Sequence, residues 1–328
     1  MKYFLARVVA AAFFKLTECL DADLTPNFGA HPSRQAAQIP YRIRMHSANA
    51  RNLSETDYDT WTVTDGPTSN TSIGPLSLSL TAASGDAALT GGEYKEQARR
   101  FLSSLGERVV SQGVTTSEDD GTGISLTLSI AGLDQGEHTL LTWHNAWDDV
   151  ASPSSLKVDV DGTSIAADVA QSVRVDNIWE SAASYVHFAV DGPEQEVRVT
   201  YTPTSNDGFV YLNGFEIDTP ALSEQISFPD PHHRDERVDL GGADVITALW
   251  RSAGLDGVTY NVYLGIAHDA LTSVAEGLTE PSVELPGLNT LETYYWRVDV
   301  TRENETYLGR VFMFRAAQMA FPGAQGWG

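Results

Sequence analysis

Eight consecutive residues, Thr142-Trp-His-Asn-Ala-Trp-Asp-Asp149, place two indoles, an imidazole, a carboxamide and two carboxylates in one short stretch. That mixture suits a sugar. A pyranose has apolar C–H faces that lie on flat aromatics and a rim of hydroxyls that bonds to amides and acids. Trp147 falls just past the end of a strand and reads as an exposed platform. Asn145, Asp148 and Asp149 are spaced to meet hydroxyls. Trp143 shares parity with Leu141 and is equally well placed for the core. Trp179 lies in an irregular stretch, and Tyr185 has the parity opposite to Val186; both join the candidate set. For each of these aromatics the competing role is packing.

Catalytic signatures were sought and not found. A serine hydrolase needs a nucleophile, a base and an orienting group, and no Gly-x-Ser-x-Gly is present. The zinc-hydrolase pattern His-Glu-x-x-His is also missing. His232-His-Arg-Asp-Glu236 has groups that could chelate a metal, but in a proline-flanked linker it reads as a solvated polar run. The paired acids Asp119-Asp120 and Asp148-Asp149 are sequence neighbours, with no second acid indicated across a cleft. The chain itself is therefore expected not to be an enzyme.

Charge narrows the partners. With 21 Lys+Arg against 44 Asp+Glu the chain carries a net −23. It repels phosphate backbones and anionic lipid, so neither nucleic acid nor membrane is expected. An acidic polysaccharide is repelled as well, unless cations bridge or neutral side-chain sugars are bound. A single cysteine, Cys19, precludes an intrachain disulfide. Val8–Phe14, after Lys2 and Arg7, has the character of a short signal-peptide core, although Lys15 and Glu18 follow closely. Sequons at Asn52, Asn70 and Asn304 are compatible with secretion, and a secreted monomer is the expectation.

The elements that must position these residues alternate with period two, as half-buried strands do. Leu76/Leu78/Leu80, Leu126/Leu128/Ile130, Leu156/Val158/Val160, Val186/Phe188/Val190 and Val197/Val199/Tyr201 are the clearest sets. Asp161-Gly162 and Asp191-Gly192 mark turns. Apolar parity flips across Asn213-Gly214, as one bulged residue would cause. Tyr94, Ala98, Phe101, Leu102, Leu105 and Val109 follow helical spacing and predict a covering helix over 93–112. Prolines at 220, 229 and 231, with mixed charge, predict a linker over 221–243. A second alternating set then runs through Val258/Tyr260/Val262/Leu264, Tyr294/Trp296/Val298/Val300 and Phe312/Phe314.

Residues 244–316 resemble a fibronectin type III module of the kind strung between domains of secreted glycan enzymes. Trp250, Tyr260-Asn-Val-Tyr-Leu-Gly265, Leu285-Pro-Gly-Leu288 and Thr293-Tyr-Tyr-Trp-Arg-Val-Asp299 carry the resemblance. Leu288 followed by Tyr294 falls where that fold has its tyrosine corner. The resemblance implies a spacer whose aromatics are core. Residues 123–218 are similar to the later two-thirds of a galactose-binding-like jelly roll, the fold of malectin and of several carbohydrate-binding modules. Here the carrying residues are Leu133-Asp-Gln-Gly-Glu-His-Thr-Leu140 and Phe209-Val-Tyr-Leu-Asn-Gly-Phe-Glu-Ile-Asp218. This likeness implies a structural calcium near the first and last strands, with Glu216, Asp218, Asp57 and Asp59 as oxygen ligands; a solvated acidic surface is the alternative. Finally, Ala320-Phe-Pro-Gly-Ala-Gln-Gly-Trp-Gly328 resembles the opening of pectate-lyase-like catalytic domains. That implies a parallel β-helix, with all its catalytic groups, beyond Gly328.

The expected class is therefore all-β. A possible leader or tail (1–21) precedes a jelly-roll sandwich with one covering helix (22–220). A linker (221–243), a fibronectin type III-like sandwich (244–316) and the start of a lyase domain (317–328) follow. The expected role is non-catalytic binding of plant cell-wall polysaccharide for a pectin-type lyase. A spacer without glycan affinity, and a truncated polysaccharide-degrading enzyme, are the alternatives.

Overall fold

The computed structural model describes residues 40–48, 57–83, 87–94, 107–117, 124–150, 152–205 and 208–317. They fall into two compact units: the first ends at Thr219, and the second runs from Pro220 and also takes Asn177–Trp179 from the earlier part of the chain.

The first unit is a sandwich of two sheets. One sheet has the order Ala183–Val190, Gly136–Trp143, Gly214–Ile217, Tyr41–Ser47, Asp59–Val63. The other runs Thr163–Val169, Leu156–Val160, Val197–Pro203, Ser125–Ala131, Leu76–Ala83, Thr68–Ile73. Alternation explains the closure. Leu126, Leu128 and Ile130 point inward and are fully buried, as are Leu78, Leu80, Val158 and Val199. From the facing sheet come Ile43, Met45, Val186, Phe215 and Ile217, in the same cluster. The intervening residues face outward, where Thr127 and Thr200 pair at 3.0 Å between their hydroxyls. At about 25 cal/mol per Å² of apolar surface removed from water, this shared core dominates the unit's stability. Asp161 and Gly162, with φ of 47° and 77°, make the tight turn between Leu156–Val160 and Thr163–Val169.

Three expectations are corrected. The parity flip at Asn213-Gly214 is a change of sheet, not a bulge within one strand. Tyr211–Leu212 pairs with Gln112–Ser117 in a separate three-stranded sheet, and Gly214–Ile217 joins the five-stranded one. Gly214 is needed for close approach, since a Cβ there would sit 2.7 Å from the Ile43 carbonyl oxygen. Of the covering helix over 93–112, the described residues show a strand ending at Glu93, helical residues only at Glu107–Val110, and a strand from Gln112. Residues 95–106 lie outside those described. The expected linker contains sandwich strands: Ser227–Asp230 pairs antiparallel with Val245–Arg251, and Asp235–Asp239 pairs parallel with Val311–Ala317. Prolines are tolerated there because edge strands leave some N–H groups unused.

The second unit sets Ser227–Asp230, Val245–Arg251 and Ser282–Pro286 in one sheet. The other sheet contains Asp235–Asp239, Val311–Ala317, Thr293–Arg302, Val258–Gly265 and Thr272–Leu278, with Glu305–Tyr307 on one side. Trp250, Tyr260 and Trp296 are core, with ring centroids 5.4 Å apart for Trp250–Tyr260 and 6.4 Å for Trp250–Trp296. The tyrosine corner is formed: the Asn289 N–H donates to the Tyr294 hydroxyl oxygen at 2.7 Å, beside buried Leu288. This half is a β-sandwich like fibronectin type III.

Candidate functional site

The strand Gly136–Trp143 connects the two ends of the first unit, and a polar group gathers at each end. The sugar-binding candidates lie at its C-terminal end, and most of them are structural. Trp147 is 5 % exposed and is not a platform. Its indole stands edge-on to Tyr211 at 5.1 Å and rests on two glycines. A Cβ at Gly92 would overlap the indole nitrogen, and one at Gly113 would sit 2.6 Å from Cζ3. Trp143 is fully buried, edge-on to Tyr58. Tyr185 is buried and donates its hydroxyl to the Thr219 carbonyl at 2.9 Å. The Asn145 side chain is also committed. Its amide donates to the Val110 carbonyl at 2.8 Å, and its oxygen accepts from Ser172 at 2.9 Å and from the Val175 N–H at 3.3 Å.

What remains at that end is a polar rim. Asp148 is exposed and accepts from the Tyr211 hydroxyl at 3.4 Å. Asp149 pairs with Arg174 at 3.3 Å, and the Arg174 guanidinium lies 4.6 Å from the Tyr94 ring centroid. Tyr94 therefore has one face covered by a cation. Trp179 is half-buried and counts with the second unit, where the Arg310 guanidinium is 5.6 Å from its ring centroid.

The four acids proposed for calcium do not converge. No group of three or more acidic, histidine or cysteine side chains is placed to hold a metal ion among the described residues. Glu216 is fully buried, takes the Tyr58 hydroxyl at 2.6 Å and lies 3.5 Å from Arg42 Nε. Asp59 is exposed at the start of its strand, and Asp57 is half-buried in the preceding turn. Asp218 instead belongs to a cavity at the other end.

That cavity, of about 230 Å³, is lined by Tyr41, Pro75, Gly132, Leu133, Asp134, His138 and Asp218. The fold assembles it from the start of the first strand, the turn before Leu76–Ala83, the loop after Ser125–Ala131, the start of Gly136–Trp143 and the end of Gly214–Ile217. Tyr41 and Ile217 are register partners, so the first and last strands bring Tyr41 and Asp218 to one edge. Asp218 adopts φ 62°, a left-handed backbone that an aspartate tolerates better than most residues.

His138 organises the charge there. Its Nδ1 is 3.0 Å from both Asp218 oxygens and its Nε2 is 2.8 Å from the Asp134 carbonyl oxygen. The Asp134 carbonyl only accepts, so Nε2 carries a proton, and the carboxylate beside Nδ1 favours the imidazolium form, in which Nδ1 carries the second. Burial pushes its pKa down. The hydrogen bond to Asp218, that to the Asp134 carbonyl and the charges of both acids outweigh burial, and the net pKa is raised. A second bond to the carboxylate comes from the Thr139 N–H at 3.4 Å. The Tyr41 hydroxyl stays protonated, its pKa raised by burial and by the charges of Asp134 and Asp218.

Tyr41, Asp134 and His138 were not singled out from the sequence. His138 shares parity with core Leu140 and is 1 % exposed; a polar residue in an inward position was the available signal. Tyr41, Ile43 and Met45 alternate in the same way.

No protein-family model matches the chain, and no curated protein matches it. Among solved structures, an Fn3-like protein from Clostridium thermocellum aligns at 17% identity over 29% of this chain and 95% of its own, with TM-score 0.23. A beta-1,2-glucanase from Parabacteroides distasonis aligns at 10% identity over 74% of this chain, TM-score 0.20, and the chain spans 36% of that enzyme. At such scores these are distant likenesses, and they assign no function.

Proposed function

We propose that this chain is a non-catalytic, glycan-binding region of a polysaccharide-degrading enzyme, and that the first unit holds sugar in the Tyr41–Asp134–His138–Asp218 cavity. One observation carries the reading. A single concave space sets a phenol ring and the apolar walls of Pro75 and Leu133 against two carboxylates. Sugar recognition needs that pairing of apolar surface with hydroxyl-binding oxygens. The volume of about 230 Å³ falls below the roughly 300 Å³ at which sites for drug-sized ligands begin, so it suits one ring. His138 serves to hold Asp218 rather than to move protons, because both of its nitrogens are already bonded within the protein. The second unit, with Trp250, Tyr260 and Trp296 inside, acts as a spacer. The enzyme context rests on the resemblance of Ala320–Gly328 to a lyase opening; those residues lie outside the ones described.

Affinity electrophoresis of the whole chain through gels containing galactan, xylan, arabinan or polygalacturonate tests the reading. Migration should slow on at least one glycan, and Tyr41→Ala should migrate freely while keeping its circular dichroism spectrum. Unretarded migration on every glycan would remove the proposal and leave a spacer.

A further inference from the structure

With the cavity taken as the glycan site, we infer that it selects a neutral sugar ring rich in hydroxyl donors and rejects uronic acids. His138 presents no donor to the cavity, since Nδ1–H is spent on Asp218 and Nε2–H on the Asp134 carbonyl. The Thr139 N–H is spent on Asp218, and the Gly132 N–H goes to the Pro193 carbonyl at 2.9 Å. Pro75 has no N–H, and the Leu133 side chain is apolar. Among the lining side chains, the Tyr41 hydroxyl is the donor that can turn toward a ligand.

Acceptors dominate instead. Asp134 and Asp218 both line the space, and both charges are felt by Tyr41 and His138. Two carboxylates stand against one imidazolium, inside a chain of net charge −23. Sugar hydroxyls donate readily to carboxylates, and a ring can lay its C–H face on Tyr41, Pro75 and Leu133. A uronate would bring a third carboxylate into a site whose free side-chain donor is one hydroxyl, and like charges at this range repel. An acidic pectin backbone is thus the wrong ligand, and a neutral side chain or neutral hemicellulose the right one.

The test uses matched pairs that differ only at C6: methyl galactoside against methyl galacturonide, and methyl glucoside against methyl glucuronide. Each is titrated into the whole chain by NMR at neutral pH, with EDTA present so that no cation can bridge two acids. In whichever pair binds, the neutral member should bind at least about tenfold more tightly. Asp134→Asn, which removes one charge and supplies amide donors, should narrow that ratio. A uronate that binds as well as its neutral partner overturns the inference, and so does a ratio unmoved by Asp134→Asn. Glycan retention sensitive to Tyr41→Ala would survive either result, so the two failures are separable. Retention on a polysaccharide without binding of any pair member also overturns the single-ring assignment.

Discussion

Asn213 clasps Asn145 across the crossing between two sheets of the first unit. Its side-chain oxygen accepts the Asn145 N–H at 2.6 Å, and its amide donates back to the Asn145 carbonyl at 3.0 Å. The same amide also meets the carbonyls of Gln112 at 2.8 Å and Val110 at 3.3 Å. All of this happens at a residue with 0 % exposure. Asn213→Ala would orphan a buried N–H and several carbonyls, at about 3 kcal/mol in total. Urea denaturation should show that loss. Asn213→Asp should be worse, because a carboxylate would face three carbonyl oxygens. Equal stability of the Ala variant and the parent would show that the clasp contributes nothing.

Trp147 and Tyr41 separate packing from binding. Trp147→Ala removes a buried indole and should cost about 3 to 5 kcal/mol. Gly92→Ala should cost about 1 to 3 kcal/mol, by driving a methyl group into the indole. Neither change touches the cavity, so glycan retention per folded molecule should be unchanged in both. Tyr41→Ala should do the reverse. Retention lost in Trp147→Ala at full folding would return the site to the other end of the unit.

Two histidines give the first unit opposing pH limbs. The raised pKa of His138 means its contribution is complete below the unfolded value near 6.5 and is lost as pH rises through the folded pKa. His144 behaves oppositely. Burial, only partly countered by its bond to the Tyr211 carbonyl, pushes it down from 6.5 to about 4. The unfolded chain takes up a proton that the folded one refuses, so stability falls as pH drops from about 6.5 toward 4, by about 3 kcal/mol in all. Thermal melts from about pH 4 to well above 6.5 should show His138→Gln flattening the alkaline limb and His144→Gln the acid limb. Unchanged alkaline slope in His138→Gln would rule out a folded imidazolium.

In the second unit, Tyr294→Phe removes the hydroxyl that receives the Asn289 N–H. The expected cost is about 1 to 2 kcal/mol, confined to the second of two unfolding transitions if calorimetry resolves them. A loss appearing in the first unit's transition would contradict the assignment of this bond.

Strands were legible in the sequence because one face of each is buried, which writes alternation directly into Leu126/Leu128/Ile130 or Tyr294/Trp296/Val298. The tyrosine corner was legible because its partners are close in sequence. Trp147 was misjudged because parity ends with the strand, and the space that receives it is opened by Gly92 and Gly113, far upstream. The cavity was missed for the same reason: Tyr41, Pro75, Asp134, His138 and Asp218 meet only once the sheets have closed. Asp218 was named, but as a metal ligand; its partner is the cation of His138 within the fold.

The antiparallel pairing of Tyr41 with Ile217 has a mechanical consequence. Among the described residues, the start of Tyr41–Ser47 and the end of Gly214–Ile217 are adjacent rungs of one ladder, so a pull applied at Tyr41 and Asp218 loads those rungs one at a time, as in a zipper, instead of shearing them together. The first to part hold Tyr41 beside Asp218. Such a pull would therefore open the cavity before it unravelled the remainder of the unit.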